Sequence, residues 1–148
     1  MLIETLKSLF NRDLIRLKAE MELYQNEAQI WHIQKGIANS AGNLCLHLVG
    51  NLNTYIGAEF GKIGYIRNRA LEFSQKDIPR AELITKIEET IVVVNNALNN
   101  ISEEESKMEF PLLVFETKTS TEFMLIHLTT HLAYHLGQIN YHRRLFNS

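Results

Sequence analysis

The amino-acid sequence predicts an all-α protein, a four-helix bundle formed by one domain over residues 1–148. Four segments repeat apolar residues at three- and four-residue steps, the period of an amphipathic helix. Residues suited to helix N-caps stand before the later ones, and glycine, proline and clustered charges fall between them. No repeat at a solenoid period competes with this pattern. Four helices of about 20 residues, joined by one or two longer connections, define such a bundle.

The first helix is expected over Ile3 to Tyr24, where Leu6, Leu9, Phe10, Leu14, Leu17, Met21 and Tyr24 form the apolar stripe. Arg12, Lys18, Glu20 and Glu22 fall between them and leave a wet face. The stretch Gln25 to Gly36 loses periodicity and reads as a connection that carries Trp31. A second helix starts at Asn39 or Ser40, both good N-caps, and runs to about Phe60. Its inward stripe of Leu44, His47, Leu48, Asn51, Leu52 and Tyr55 is unusually polar.

Gly61 to Gln75 reads mostly as loop, from its glycines and charges. Asp77-Ile78-Pro79 opens a third helix through Leu83, Ile87, Ile91, Val94 and Leu98 to about Asn99, with Asp77 as N-cap and Pro79 in the first turn. Ser102-Glu103-Glu104-Glu105 is expected as a solvated corner. Leu112, Val114 and Phe115 near Pro111 suit either a short extended piece or a turn. Ser120 or Thr121 caps the last helix, which reaches Leu145 and places Glu122 at its positive end.

Composition excludes several functions. A formal charge of -2 and a pI near 6.3 lack the basic footprint of a nucleic-acid or anionic-membrane binder. No apolar run approaches the length of a membrane span, and the N-terminus has no signal-peptide pattern. Cys45, the one cysteine, has no disulfide partner within the chain, so a cytoplasmic, reducing location is expected.

Chemistry concentrates in the histidines. His47 lies on the second helix, and His127, His131 and His135 lie on the last. A four-residue step turns a helix by about 400°, so His131 and His135 differ by only about 40° in direction and about 6 Å in height. Two imidazoles can then meet one divalent ion, and His47 from a facing helix would complete a triad with positions left open. Hydrogen-bonded core histidines are the competing interpretation.

His127, one turn before His131, could be a fourth ligand or support the others. Asn51, one turn after His47, and Gln138, three residues after His135, could orient a ligand or satisfy their own amides. His142 is expected at the surface. The segment His131-Leu132-Ala133-Tyr134-His135 lacks the glutamate of a zinc protease motif, and the inward carboxylates of a di-iron bundle are missing. Cys45 points about 200° away from His47 and reads as a small core residue.

The blocks His47-Leu48-Val49-Gly50-Asn51, Arg67-Asn68-Arg69 with Glu72-Phe73, and His131-Leu132-Ala133-Tyr134-His135-Leu136-Gly137-Gln138-Ile139 occur in this order. Together they resemble a subgroup of the DinB-like superfamily, long catalogued as a domain of unknown function. The likeness covers about residues 5 to 146. It implies up-down-down-up connectivity, a homodimer, and a metal site of His47, His131 and His135 holding nickel or zinc. Some relatives are thiol-dependent transferases or isomerases that use low-molecular-weight thiols such as bacillithiol or mycothiol. The chain departs from the subgroup at Tyr55-Ile56-Gly57-Ala58-Glu59-Phe60, milder than the usual aromatic and acidic stretch, which bears on substrate rather than on metal.

The leading expectation is therefore a metal-dependent enzyme that transfers a low-molecular-weight thiol to a small electrophile. Arg67 and Arg69 are candidates to hold the thiol's carboxylates, with solvated loop arginines as the plainer alternative. A metal-assisted hydrolase and a non-catalytic metal- or small-ligand-binding dimeric stress module are the alternatives.

Overall fold

The computed structural model describes residues 1–146 and is all-helical, with no strand among them. Its long helices are α1 (Leu2–Leu23), α2 (Ala41–Leu52), α5 (Arg80–Asn99) and α7 (Thr121–Phe146). Between them lie α3 (Glu59–Gly61), α4 (Arg69–Ser74) and α6 (Glu103–Ser106). A 3₁₀ turn, Glu27–Trp31, follows α1, and a π-helical segment, Asn53–Ala58, joins α2 to α3. Among the described residues no helix is long and apolar enough to cross a membrane.

The apolar stripe of α1 is buried as its spacing requires, with Leu6, Phe10, Leu14, Leu17 and Met21 almost fully covered. That helix packs on α5 and α7, and α2 packs on the same two. Each fully buried side chain of this kind contributes about 1.5–3 kcal/mol of transfer free energy. Asp13 is buried among them, with its carboxylate paired to Arg12 at 2.9 Å and Arg16 at 3.3 Å.

Every residue of α2 is buried. Small residues allow this close packing. At Gly42 an added Cβ would lie 2.6 Å from the Trp31 ring, so the Gln25–Gly36 connection is tied down by its tryptophan rather than loose. Ser40 is the N-cap, its hydroxyl accepting from Asn43 N–H at 3.1 Å. The helical run continues to Gly61 through the wider turns of Asn53–Ala58, where Asn53 donates to Val49 O and to Thr90 Oγ1.

Two sequence expectations are corrected, at Asp77 and His142, and two are refined. Gly61 to Gln75 is non-helical over 62–68 and at Gln75, as expected, but it also holds α4, which Asn68 caps by accepting from Leu71 N–H at 3.1 Å. Asn43 Nδ2 then donates to Glu72 O and Gln75 O, fastening α4 to α2. Asp77 is not the cap of α5. It has φ 57°, Pro79 takes the cap position, and Glu27 Oε1 accepts from Arg80 N–H. The glutamate corner is exposed as expected, and it forms a short helix closed by a reciprocal cap between Ser102 and Glu105. His142 is buried rather than at the surface, for reasons given below.

Before α7 the chain doubles back: Phe110 N–H donates to Thr119 O and Thr121 N–H to Met108 O. Phe110 is fully buried, while Leu112 and Phe115 are exposed. Ser120 caps α7, its hydroxyl accepting from Phe123 N–H at 3.0 Å.

Candidate metal centre

α2 and α7 bring three imidazoles together. His47 is buried, His131 and His135 are half-buried, and one ring nitrogen of each lies within 4.8 Å of the others. His47 Nε2 is 3.2 Å from His131 Nε2. Two imidazole nitrogens on one ion at 2.0–2.1 Å are about 2.9–3.4 Å apart, from a right-angled to a tetrahedral arrangement. The observed spacing falls in that range. A cluster of three neutral imidazoles could hold one divalent ion.

Hydrogen bonds fix the ring nitrogens that face the cluster. Glu72 Oε1 lies 3.1 Å from His47 Nδ1. A carboxylate only accepts, so Nδ1 carries the proton and Nε2 keeps its lone pair. Gln138 Oε1 lies 2.7 Å from His135 Nδ1 and selects the same tautomer there. Outer partners of this kind orient a metal ligand and raise its basicity. His131 Nδ1 and Asn51 Oδ1 are buried without a partner among the described residues.

Glu72 is held from two sides. Arg67 donates from Nε to Oε2 at 2.8 Å and from Nη2 to Oε1 at 2.9 Å, a two-pronged charge-assisted contact. Burial pushes the Glu72 carboxyl up, but the bonds from His47 and Arg67 outweigh it and leave its pKa below the ordinary 4.5. Its place against α2 depends on Gly50, where an added Cβ would sit 1.9 Å from Oε2. Asn43, Gly50 and His47 thus form one face of α2 that receives α4.

Electrostatics favour the neutral form of His131 and His135. Burial, then the positive charge that His135, His47, His127 and Arg67 can carry, lowers the His131 pKa from 6.5 to about 4. Burial also lowers His135, against the opposing bond from Gln138. Neutral imidazoles are what a divalent ion requires.

The other sequence candidates are placed plainly. His127 is outside the converging trio, its ring centroid 6.2 Å from that of His131 and 4.9 Å from Phe115. Gln138 touches His135, whereas Asn51 is buried without a bond at its carbonyl oxygen. Arg67 is turned to Glu72 rather than free in solvent. Arg69 is exposed, with its guanidinium 5.2 Å from the Phe73 ring. Cys45 is buried, which pushes its thiol pKa up to about 12 and makes it inert.

Glu72 is the residue that counting histidines missed. Its trace in the sequence is the glycine of His47-Leu48-Val49-Gly50-Asn51, because a glycine inside a buried helix marks a close approach.

Fold and site together define an all-helical protein with a three-histidine cluster suited to a divalent metal ion. Residues 2–148 match the family described as protein of unknown function (DUF1572), and the chain belongs to that family. No curated protein and no solved structure matches it.

Proposed function

We propose that this protein is a metal-dependent enzyme, with His47, His131 and His135 holding one nickel or zinc ion, and that it transfers a low-molecular-weight thiol to a small electrophile. The observation that carries this reading is the convergence of three ring nitrogens within 4.8 Å, two of them with their tautomers set by Glu72 and Gln138. When bound, a divalent ion would supply Lewis acidity and favour thiolate at neutral pH. Glu72 keeps the proton of His47 on Nδ1, and Gln138 does so for His135. His127 stands a turn before His131, available to receive the thiol proton. The sulfur then forms its bond to the electrophilic carbon, and the leaving group departs with its electron pair.

In this reading Arg67 serves by holding Glu72, and Arg69 is the arginine left to bind a thiol's carboxylate. Residues 1–148 form one DinB-like domain, a four-helix bundle with up-down-down-up connectivity. The packing of α1 and of α2 on both α5 and α7 supports that arrangement. A cytoplasmic homodimer is part of the proposal. Phe123, Ile126 and Tyr134 leave an exposed apolar stripe along α7 for a second copy. Neither nucleic acid nor membrane is a partner in it.

Protein loaded with nickel or zinc, tested against a panel of thiols and electrophiles, should exceed the uncatalysed rate, and His131→Ala should abolish that excess. No excess across the panel overturns the transfer reaction. Tight metal occupancy without turnover would then leave a binding module, and thiol-independent turnover of esters or amides would indicate a hydrolase.

A further inference from the structure

A cavity of about 350 Å³ opens beside the histidine cluster, between residues 36–39 and the C-terminal half of α7. His135 and Gln138 form part of its wall, so the cavity shares two residues with the candidate metal centre. Its other walls include Ile37, Leu44, Tyr141, Leu145 and Phe146, and no Asp, Glu, Lys or Arg among the described residues lines it. His142 also reaches the wall, but both its ring nitrogens are engaged, by Tyr24 and by His32 O.

These features restrict the ligand. A charged group placed here would give up part of its hydration with no opposite charge to replace it. An apolar group would find aliphatic and aromatic walls. The volume is at the small end of ligand sites, enough for a one- or two-ring molecule. Gln138 spends its carbonyl oxygen on His135 and keeps its amide NH₂ as a donor for an oxygen on the ligand.

We propose that this cavity binds an uncharged, mainly apolar organic molecule with one hydrogen-bond acceptor, held by Gln138 next to His135. The electrophile, rather than the charged thiol, is therefore the partner accommodated here. This assignment of the substrate class rests on the metal-centre reading, whereas the cavity's preference for uncharged rings stands without it.

The test uses 2-naphthol and its charged counterpart 2-naphthoate as probes, titrated into the full-length protein by calorimetry and ligand-observed NMR. Saturable binding of about one naphthol per chain is expected, with naphthoate at least about tenfold weaker. Ala38→Trp, which fills the cavity from an exposed position, and Leu145→Asp, which charges its rim, should each weaken naphthol about tenfold without changing the melting temperature. Gln138→Leu should weaken naphthol more than it weakens naphthalene.

Manganese(II) then locates the probe. Bound manganese should broaden the naphthol resonances in the wild type and not in His131→Ala, where the naphthol still binds. Naphthol that fails to bind, binds the filled variant equally, or is matched by naphthoate overturns the cavity assignment. Binding without broadening, in protein shown to hold manganese, overturns the placement of substrate beside the metal. If manganese is not held, paramagnetic nickel(II) replaces it as the broadening probe, and if neither nickel nor zinc is held the metal reading fails while the variant series still decides the cavity. Should Leu145→Asp break a dimer and leave naphthol affinity unchanged, the cavity is a contact for a second copy and the proposal falls.

Discussion

His142 and His135 stand two turns apart on α7, and their ring nitrogens are used in opposite ways. His142 is buried and saturated. Its Nε2 is 2.8 Å from His32 O, a carbonyl that only accepts, so Nε2 carries the proton. Its Nδ1 then accepts from the Tyr24 hydroxyl at 2.6 Å. His135 gives one nitrogen to Gln138, and its other side meets His47 and His131. Burial alone does not separate a core histidine from a ligand. Accounting for each ring nitrogen does.

The largest expected effects break the ligand side of this contrast. His47→Ala and His131→Ala should lower metal affinity by more than the roughly 10–100-fold that loss of an outer partner costs. His142→Ala should leave metal affinity unchanged, as titration with a chromophoric zinc competitor will show. Equal losses in all three variants would dissolve the contrast.

Glu72→Gln tests the outer partner itself and should cost about 10–100-fold in affinity, because the carboxylate that holds His47 Nδ1–H is gone. Gly50→Ala should do similar harm by displacing Glu72, with about 1–3 kcal/mol lost in urea unfolding. If Gly50→Ala destabilises the protein but binds metal normally, Glu72 is not a positioning residue.

Next in size is the structural side. His142→Ala leaves the buried Tyr24 hydroxyl and the part-buried His32 carbonyl without their partner, so about 1–3 kcal/mol of stability should be lost. Denaturant unfolding of metal-free protein measures it. The corresponding His131→Ala variant should lose less, since His131 Nδ1 has no partner among the described residues.

The smallest effect is a pH dependence. His131 has its pKa lowered from 6.5 to about 4 in the folded chain, by burial first and neighbouring charges second. The unfolded chain therefore binds more protons between those values. Stability of the metal-free protein should fall as pH drops from 6.5 towards 4, with His131 contributing on the order of 1–2 kcal/mol after solvent screening. Unfolding curves across that range should show the wild type losing that much stability relative to His131→Gln as pH falls, with the difference between the two constant above pH 6.5.

The same accounting explains what the sequence revealed. Periodicity located the long helices, because burying an apolar stripe fixes which residues recur. The four-residue step between His131 and His135 made their convergence legible, since helical geometry is local. His142 was misjudged because its partners, Tyr24 and His32 O, are more than 100 residues away in sequence. The polar inward face of α2 was visible, but its recipient was not. Glu72 reaches His47 only because α4 docks through Asn43, and nothing within Gly61 to Gln75 announces that tertiary contact. Arg67 was likewise legible as a charge and not as the clamp on Glu72.

The most direct measurement is the metal content of untagged protein by mass spectrometry, with His131→Ala and His142→Ala prepared alongside. About one divalent ion per chain in the wild type and in His142→Ala, with none in His131→Ala, is the predicted result. A wild type that stays metal-free after incubation with nickel and zinc, or an ion retained in His131→Ala, would contradict the three-histidine centre.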